Sequence, residues 1–358
     1  MKTPSPVVDS LAMRHMADDA TLQALADIAV ASESVNTTRA YQSALKYWTL
    51  WHELRIGQTM RLPLTLDAVL MLIADHAKRE PKLGHALYGL PKDIEAQLIA
   101  RGVKDKTGPM TLSTLQHRIS VISKARQWLG VANPCATETV KQLMTQVRRA
   151  YAKRGDLPQK KPAIVRSPLD RLLDTCDDSL RGTRDRALLL FAWASGGRRR
   201  SEVAQARIEH LTRLGDGQYV YHLAVSKTNQ SGLQRPENFK PLAGKAADAL
   251  DLWLQRAGLF EGPIFRTIYK NDIMGTKPMS DASINQMVKT RAALAGLDPR
   301  FSAHSLRAGF VTEAGRQNIP IQEGMAMTGH HSVTIFMGYY RAGNLLNGQA
   351  AKLLDEPS

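Results

Sequence analysis

A mainly α-helical protein with one small β-hairpin, split into a helical N-terminal domain and an α+β C-terminal domain, is the fold class this sequence predicts. Three observations predict it. Apolar residues recur at helical spacing through most of the chain. A single stretch, Tyr219 to Val225 (YVYHLAV), alternates and is rich in aromatic and β-branched residues, as a strand is. A segment without periodicity, RGDLPQKKPAIVR (154–166), carries two prolines between two groups of helices. The expected organisation is a flexible tail at 1–33, a helical domain at 34–155, a linker at 156–166, a second domain at 167–342, and a helix and tail at 343–358.

In chain order, the first 33 residues are polar and weakly patterned, with one short helix at TLQALADIAVA. Asn36-Thr37-Thr38 opens a helix with Tyr41, Leu45, Trp48 and His52 on one face. Leu66 to Lys78 is a second helix, and Asp93 to Arg101 a short third one. Thr111 to Leu129 places Leu115, Ile119, Ile122 and Trp128 near one face, and Gly130 stops it. Thr137 to Lys153 repeats the pattern with Val140, Leu143, Met144, Val147 and Tyr151. The second domain begins at Ser167-Pro168, with proline in the first helical turn. The segment RDRALLLFAWAS is apolar almost all round, so a buried helix is expected. The strand YVYHLAV leads through the polar tip KTNQSGLQRPE to a return strand near Asn238 to Leu242. Helices resume at Lys245–Ala257, Ser280–Ala295, His304–Arg316, Ile321–Met327 and Val333–Tyr340. A last amphipathic helix is expected at Leu345 to Leu354.

Length and charge narrow the function classes. With 358 residues there is room for two cores. A formal net charge of +15 favours a polyanionic partner, and a nucleic-acid backbone leads. Lys141, Arg148, Arg149, Lys153, Arg154, Lys160 and Lys161 crowd the outer face of one helix and the linker after it. They are the expected DNA-binding residues. Cys135 and Cys176 lack metal-ligand spacing and suggest no disulfide framework, so the chain reads as reduced and cytoplasmic. No apolar run fits a signal peptide or a membrane span.

The chemistry concentrates near the C-terminus. His304-x-x-Arg307, Gly329-His330-His331-Ser332 and Tyr339, nine residues after His330, fall within forty residues. Cleaving a phosphodiester without metal needs charge neutralisation on the nonbridging oxygens, an aligned nucleophile, a base and an acid. Tyr339 suits the nucleophile, His304 the base, and the planar fork of Arg307 the phosphate. Two parts are missing there, and both have candidates upstream. Arg198-Arg199-Arg200-Ser201-Glu202 comes after a glycine break, with Glu202 placed to orient Arg199. Lys227 lies at the hairpin tip, where crowding by cations would lower its pKa and suit it to be the acid; Lys240 competes for that role. The histidines have no accompanying carboxylate or cysteine, so no metal is expected.

The ordered set Arg199, Lys227, His304-x-x-Arg307, His330 and Tyr339 resembles the tyrosine recombinase/phage integrase family, with SKT around Lys227 and GYYR at the end similar to its Cre-like members. The resemblance spans the second domain fully. It covers the first more loosely, as a helical core-binding domain that clamps DNA. It implies that Arg199 and Arg307 bind the scissile phosphate and that Glu202 steadies the site. Lys227 would protonate the leaving 5′-hydroxyl, His304 act as base, and His330 donate a hydrogen bond to the phosphate. Tyr339 would form a 3′-phosphotyrosine, so neither ATP nor metal is needed. It further implies a homotetramer on two inverted-repeat sites in double-stranded DNA, passing through a Holliday junction. Leu345, Leu346, Leu353 and Leu354 would then dock each C-terminal helix on a neighbour. Two departures stand out. Arg198 and Arg200 replace apolar flanks of the family's first arginine, and Tyr340 comes directly after Tyr339; the Glu202 register and the nine-residue step select Arg199 and Tyr339. Two alternatives stay open: a type IB topoisomerase-like relaxation of DNA, and an architectural DNA-binding protein with a lapsed site.

Overall fold

The computed structural model describes residues 35–80, 87–129, 132–157, 161–223 and 236–344. The chain divides into two compact units, Met1–Gln159 and Lys160–Ser358, and the division falls inside the proline-containing 156–166 segment.

The first unit is helical throughout its described residues: α1 (Val35–Ile56), α2 (Leu66–His76), α3 (Lys92–Ala100), α4 (Leu112–Leu129) and α5 (Glu138–Lys153). Threonine hydroxyls start two of these helices. Thr65 Oγ1 accepts from Ala68 N at the head of α2, and Thr137 Oγ1 from Val140 N at the head of α5. The α1 face agrees with the expected one at Trp48 and His52, both buried, and differs in the rest. Ala44, Tyr47, Trp48 and Trp51 are buried, whereas Tyr41 and Leu45 are only half-buried. Three aromatic rings bring more apolar area than Leu45 does. Their polar edges also find partners inside. Trp48 donates to Arg118 O at 2.9 Å, Trp51 to Asp75 Oδ2 at 3.1 Å, and Tyr47 bonds His76 Nε2 at 2.6 Å. Leu72 and Ile73 of α2, Leu115, Ile119 and Ile122 of α4, and Val140, Val147 and Tyr151 of α5 close the core. The first 34 residues lie outside the described ones.

The second unit is built on α7 (Leu180–Ala194), preceded by α6 (Arg166–Asp174) and succeeded by the short α8 (Arg200–Ala204). Helix α7 starts earlier than its apolar run because Ser179 caps it, accepting from Gly182 N at 3.0 Å. The expected hairpin is part of a three-stranded antiparallel sheet, β1 (Leu211–Arg213), β2 (Tyr219–His222) and β3 (Phe239–Leu242), in that order. Tyr221 pairs with both Leu211 and Lys240. After α9 (Lys245–Ala257) comes a second, unexpected hairpin, β4 (Arg266–Ile268) and β5 (Met274–Pro278). Strands of three residues, like β1 and β4, are too short to display a period of two. The last helices are α10 (Asp281–Leu294), α11 (Ala303–Arg316), α12 (Ile321–Thr328) and α13 (Val333–Asn344).

Glycines set how closely α11 can be approached. A Cβ at Gly309 would lie 1.8 Å from Ile164 O, and one at Gly315 would lie 2.2 Å from Tyr340 O. On α13, a Cβ at Gly343 would lie 1.8 Å from Thr312 O. Helix α13 therefore lies backbone to backbone against α11, the helix that carries His304 and Arg307. Among the described residues no helix is long and apolar enough to cross a membrane.

Candidate active site

The site forms where four elements meet: the loop after α7, the head and second turn of α11, the end of α12, and the loop into α13. The loop after α7 turns on Gly196 and Gly197, at φ +95° and +67°. A Cβ at Gly197 would meet Arg307 Cα at 2.4 Å, so only glycine lets α11 come this near. In return Arg307 Nη1 donates to Gly197 O at 3.1 Å.

Arg199 and Arg307 differ in setting. Arg199 is half-buried, and its Nη1 donates to Glu202 Oε1 at 2.5 Å, while Glu202 Oε2 accepts the Arg199 N–H at 3.1 Å. One carboxylate thus fixes both the side chain and the backbone of Arg199. Burial pushes the Glu202 carboxyl up, but the Arg198 and Arg199 guanidiniums outweigh it and hold the group below its usual value. Arg307 is 4% exposed. Burial first, then Arg199 and Arg198, draw its guanidinium down to about 9. Among the described residues Glu202 is the carboxylate that opposes them. The centre is a positive site with more cations than anions, which is what an incoming phosphate relieves.

His330 is half-buried, with Arg307 Nη2 3.4 Å from its Nδ1 and 3.5 Å from its Nε2. Its Nδ1 also lies 2.7 Å from Thr328 Oγ1. The Thr328 hydroxyl donates its one proton to a helical carbonyl, Gly324 O at 2.9 Å, so Nδ1 carries the proton and donates to Thr328. Nε2 is then left with a lone pair. Burial, then Arg307, Arg199, Arg198 and His304, draw this imidazole down to about 3. His304 opens to solvent, yet the protein behind it and the guanidiniums of Arg307 and Arg199 hold its imidazole below its usual value as well.

The two adjacent tyrosines are used differently. Tyr340 is buried, and its hydroxyl donates to Ile319 O at 2.8 Å. Tyr339 is half-buried, and its carbonyl accepts from Thr312 Oγ1 of α11 at 3.4 Å. His331 is exposed.

The structure thus brings Arg199, Glu202, His304, Arg307 and His330 together and carries Tyr339 on the adjoining helix. Lys227 lies outside the described residues. Its competitor Lys240 is 1% exposed, with Nζ donating to Ala326 O at 2.6 Å and to Glu237 O. Burial, then Arg198, bring it down to about 7. Two of its three protons are directed at these carbonyls, and the side chain is buried. Sequence reasoning did not assign Arg198 or Thr328 to the site, and it named Lys240 only as a competitor for the acid, not as an inward donor to the end of α12. One signal was available: in Phe239–Leu242 the strand period puts Lys240 on the same buried side as Leu242.

On the first unit, Lys141, Arg148, Arg149 and Lys153 are exposed on α5, and Lys161 of the second unit is exposed too. Arg154 is engaged instead. It pairs with Asp156 at 3.0 Å, donates to Lys78 O and lies over the Tyr151 ring. Lys160 is outside the described residues.

Comparison with known proteins agrees with this geometry. Residues 164–344, the part holding every assembled site residue, match the phage integrase family. An integrase/recombinase XerD homolog of Selenomonas ruminantium is 32% identical over 274 residues, covering 74% of this chain and 78% of the relative. The recombinase Cre of Escherichia phage P1 is 22% identical over 286 residues, covering 74% and 80%. Among solved structures, the Tn1549 transposon integrase in complex with transposon right-end DNA is similar in fold at a TM-score of 0.55, 12% identity and 98% and 100% coverage. XerH recombinase bound to palindromic difH substrate gives 0.53, 15%, and 99% and 90%. The chain belongs to the phage integrase family of tyrosine recombinases. It is a tyrosine-type site-specific recombinase, an enzyme of DNA cleavage and rejoining.

Proposed function

We propose that Tyr339 attacks the scissile phosphate of duplex DNA and forms a 3′-phosphotyrosine, the first half of a strand exchange between two sites. The observation that carries this reading is the braced, half-buried Arg199 and the buried Arg307, a net positive centre beside two neutral histidines. The two forks neutralise the nonbridging oxygens as charge builds on them. His304, uncharged near neutrality because its pKa is held low, accepts the phenol proton. Lys227, the acid expected from the sequence, protonates the leaving 5′-oxygen. The new ester keeps the energy of the broken linkage, so religation needs no nucleotide.

Tyr340 has its hydroxyl committed to Ile319 O, which supports Tyr339 as the nucleophile. His330 begins with Nε2 unprotonated, 3.5 Å from Arg307 Nη2. A phosphate between the arginines raises its pKa, and the protonated ring then donates to a phosphate oxygen. Double-stranded DNA with an inverted-repeat site is the expected partner. Lys141, Arg148, Arg149 and Lys153 would track its backbone, and Leu345, Leu346, Leu353 and Leu354 would dock protomers as a tetramer. Such an enzyme works in the cytoplasm, at the nucleoid.

The test uses a duplex selected by the wild-type protein from a random-sequence inverted-repeat library. Covalent protein–DNA adducts are read by denaturing electrophoresis. Tyr339→Phe abolishes the adduct, whereas Tyr340→Phe forms it and melts at lower temperature. Adduct surviving in Tyr339→Phe overturns the assignment.

A further inference from the structure

Helix α12 ends where His330 begins, and its end is held in an unusual way. The last carbonyls of a helix have no partner within it. Here three in succession are taken. Met325 O accepts from Gly329 N at 2.8 Å. Ala326 O accepts from Lys240 Nζ at 2.6 Å, and Met327 O from Arg198 Nη2 at 2.5 Å. The two cations arrive from separate places, β3 and the loop after α7. Both are almost wholly buried, at 1% and 2% exposure. Buried charge is costly unless it is bonded, and strand position 240 is one where an apolar side chain would be cheaper. Cations at a helix C-terminus also complement its dipole.

Directly after the clamped carbonyls the chain enters the site itself. Thr328 receives the His330 Nδ1–H, Gly329 turns the chain at φ +68°, and His330 meets Arg307. Arg198 also lies 3.6 Å from Glu202, the carboxylate that braces Arg199. A shift of α12 would therefore move His330 away from Arg307 first.

We propose that Arg198 and Lys240 together form a buried cationic cap on the C-terminal end of α12 and act as positioning residues for His330. This rests on the reading of His330 as a phosphate ligand. Neither side chain has a route to the phosphate through the bonds it makes. They act through the placement of the imidazole.

A double-mutant cycle tests this, on the full chain and the selected duplex, reading single-turnover cleavage, DNA affinity and melting temperature. Lys240→Met keeps the length and apolar stem but removes the donor. It is expected to slow cleavage about 10- to 100-fold, the cost of a misplaced site group, with DNA affinity unchanged. In a His330→Ala background the same substitution is expected to change the rate by less than about twofold, because the group it positions is gone. An equal loss in both backgrounds, or no loss in the wild type, overturns the cap. Cleavage at the wild-type rate in His330→Ala alone would overturn the reading of the site as well, which separates the two failures. Should Lys240→Met not fold, Arg198→Lys, which keeps the charge but loses the fork, goes through the same cycle. A loss confined to the wild-type background then supports the cap, and an equal loss in both, or none, overturns it.

Discussion

His76 in the first unit and His330 in the second are both drawn below the usual imidazole range, chiefly by burial, to about 4 and about 3. Their partners differ. His76 donates from Nδ1 to Leu72 O at 2.8 Å, and its Nε2 takes the Tyr47 hydroxyl at 2.6 Å, so both nitrogens are used up by the fold. His330 uses Nδ1 on Thr328 and turns the rest of the ring toward Arg307, itself a buried cation. The neighbours differ in the same way. Asp75, beside His76, takes Trp51 and Arg55, a one-to-one pairing of charge. Around Arg307 the cations outnumber the carboxylate. Burial alone does not distinguish a site from a core. The leftover charge does.

The largest expected effects would break this contrast if they came out alike. Arg307→Gln removes charge that an incoming phosphate requires, and cleavage should fall by at least about 100-fold. Tyr47→Phe leaves the His76 Nε2 without its donor. It should cost about 1–3 kcal/mol of unfolding free energy and leave the cleavage rate alone. Denaturant melts and single-turnover cleavage, run on both variants, check the pair. A catalytic loss in Tyr47→Phe comparable to that of Arg307→Gln would remove the distinction between the two regions.

Much of this was legible in the sequence because it is carried by local spacing. The helices from Leu66 to Tyr151 obey apolar periodicity, and His304-x-x-Arg307 puts its two groups one turn apart on α11. The register of Glu202 pointed to Arg199, and the structure shows the bond that such a register makes. The illegible parts depend on contacts distant in the chain. On α1, Trp48 and His52 are buried as expected, but Tyr47 and Trp51 join them in place of Tyr41 and Leu45 because they gain from His76 and Asp75, which no pattern within α1 reveals. Arg198 looked like a departure from the family's apolar flank. Its partner, Met327 O, is 129 residues away, beyond any local reading. Strand β1 exists because β2 offers an edge, not because Leu211–Arg213 alternates.

A smaller effect sharpens the comparison through pH. Both imidazoles have lowered folded values, so both are neutral in the folded chain near neutrality. Their neutral forms match the unfolded chain above about 6.5, and stability is lost as pH falls below that, because the unfolded histidines take protons first. DNA should separate them. A phosphate next to His330 raises its pKa, so the ring takes up a proton on binding at mildly acidic pH, while His76 stays neutral. Imidazole nitrogen chemical shifts, recorded with and without the selected duplex, distinguish the two. If His330 kept its free-state shift in the complex, it would not be donating to the phosphate through a protonated ring.

The smallest effects belong to the basic stripe of α5, where the contrast recurs among arginines only a few residues apart. Arg148 is exposed, while Arg154 is bound to Asp156, to Lys78 O and to the Tyr151 ring. If Arg148 tracks the DNA backbone, Arg148→Ala weakens binding severalfold, uniformly across sequences. It also lowers the slope of log affinity against log salt by about one. Lys141→Ala should do the same, being on the same face of α5. Arg154→Ala should act on the fold, lowering the melting temperature of the first unit and leaving the salt slope unchanged. Affinities measured across a series of salt concentrations give the slopes. A reduced slope in Arg154→Ala, with none in Arg148→Ala, would reverse the assignment: the engaged arginine would be reading DNA, and the exposed stripe would be a solvated face.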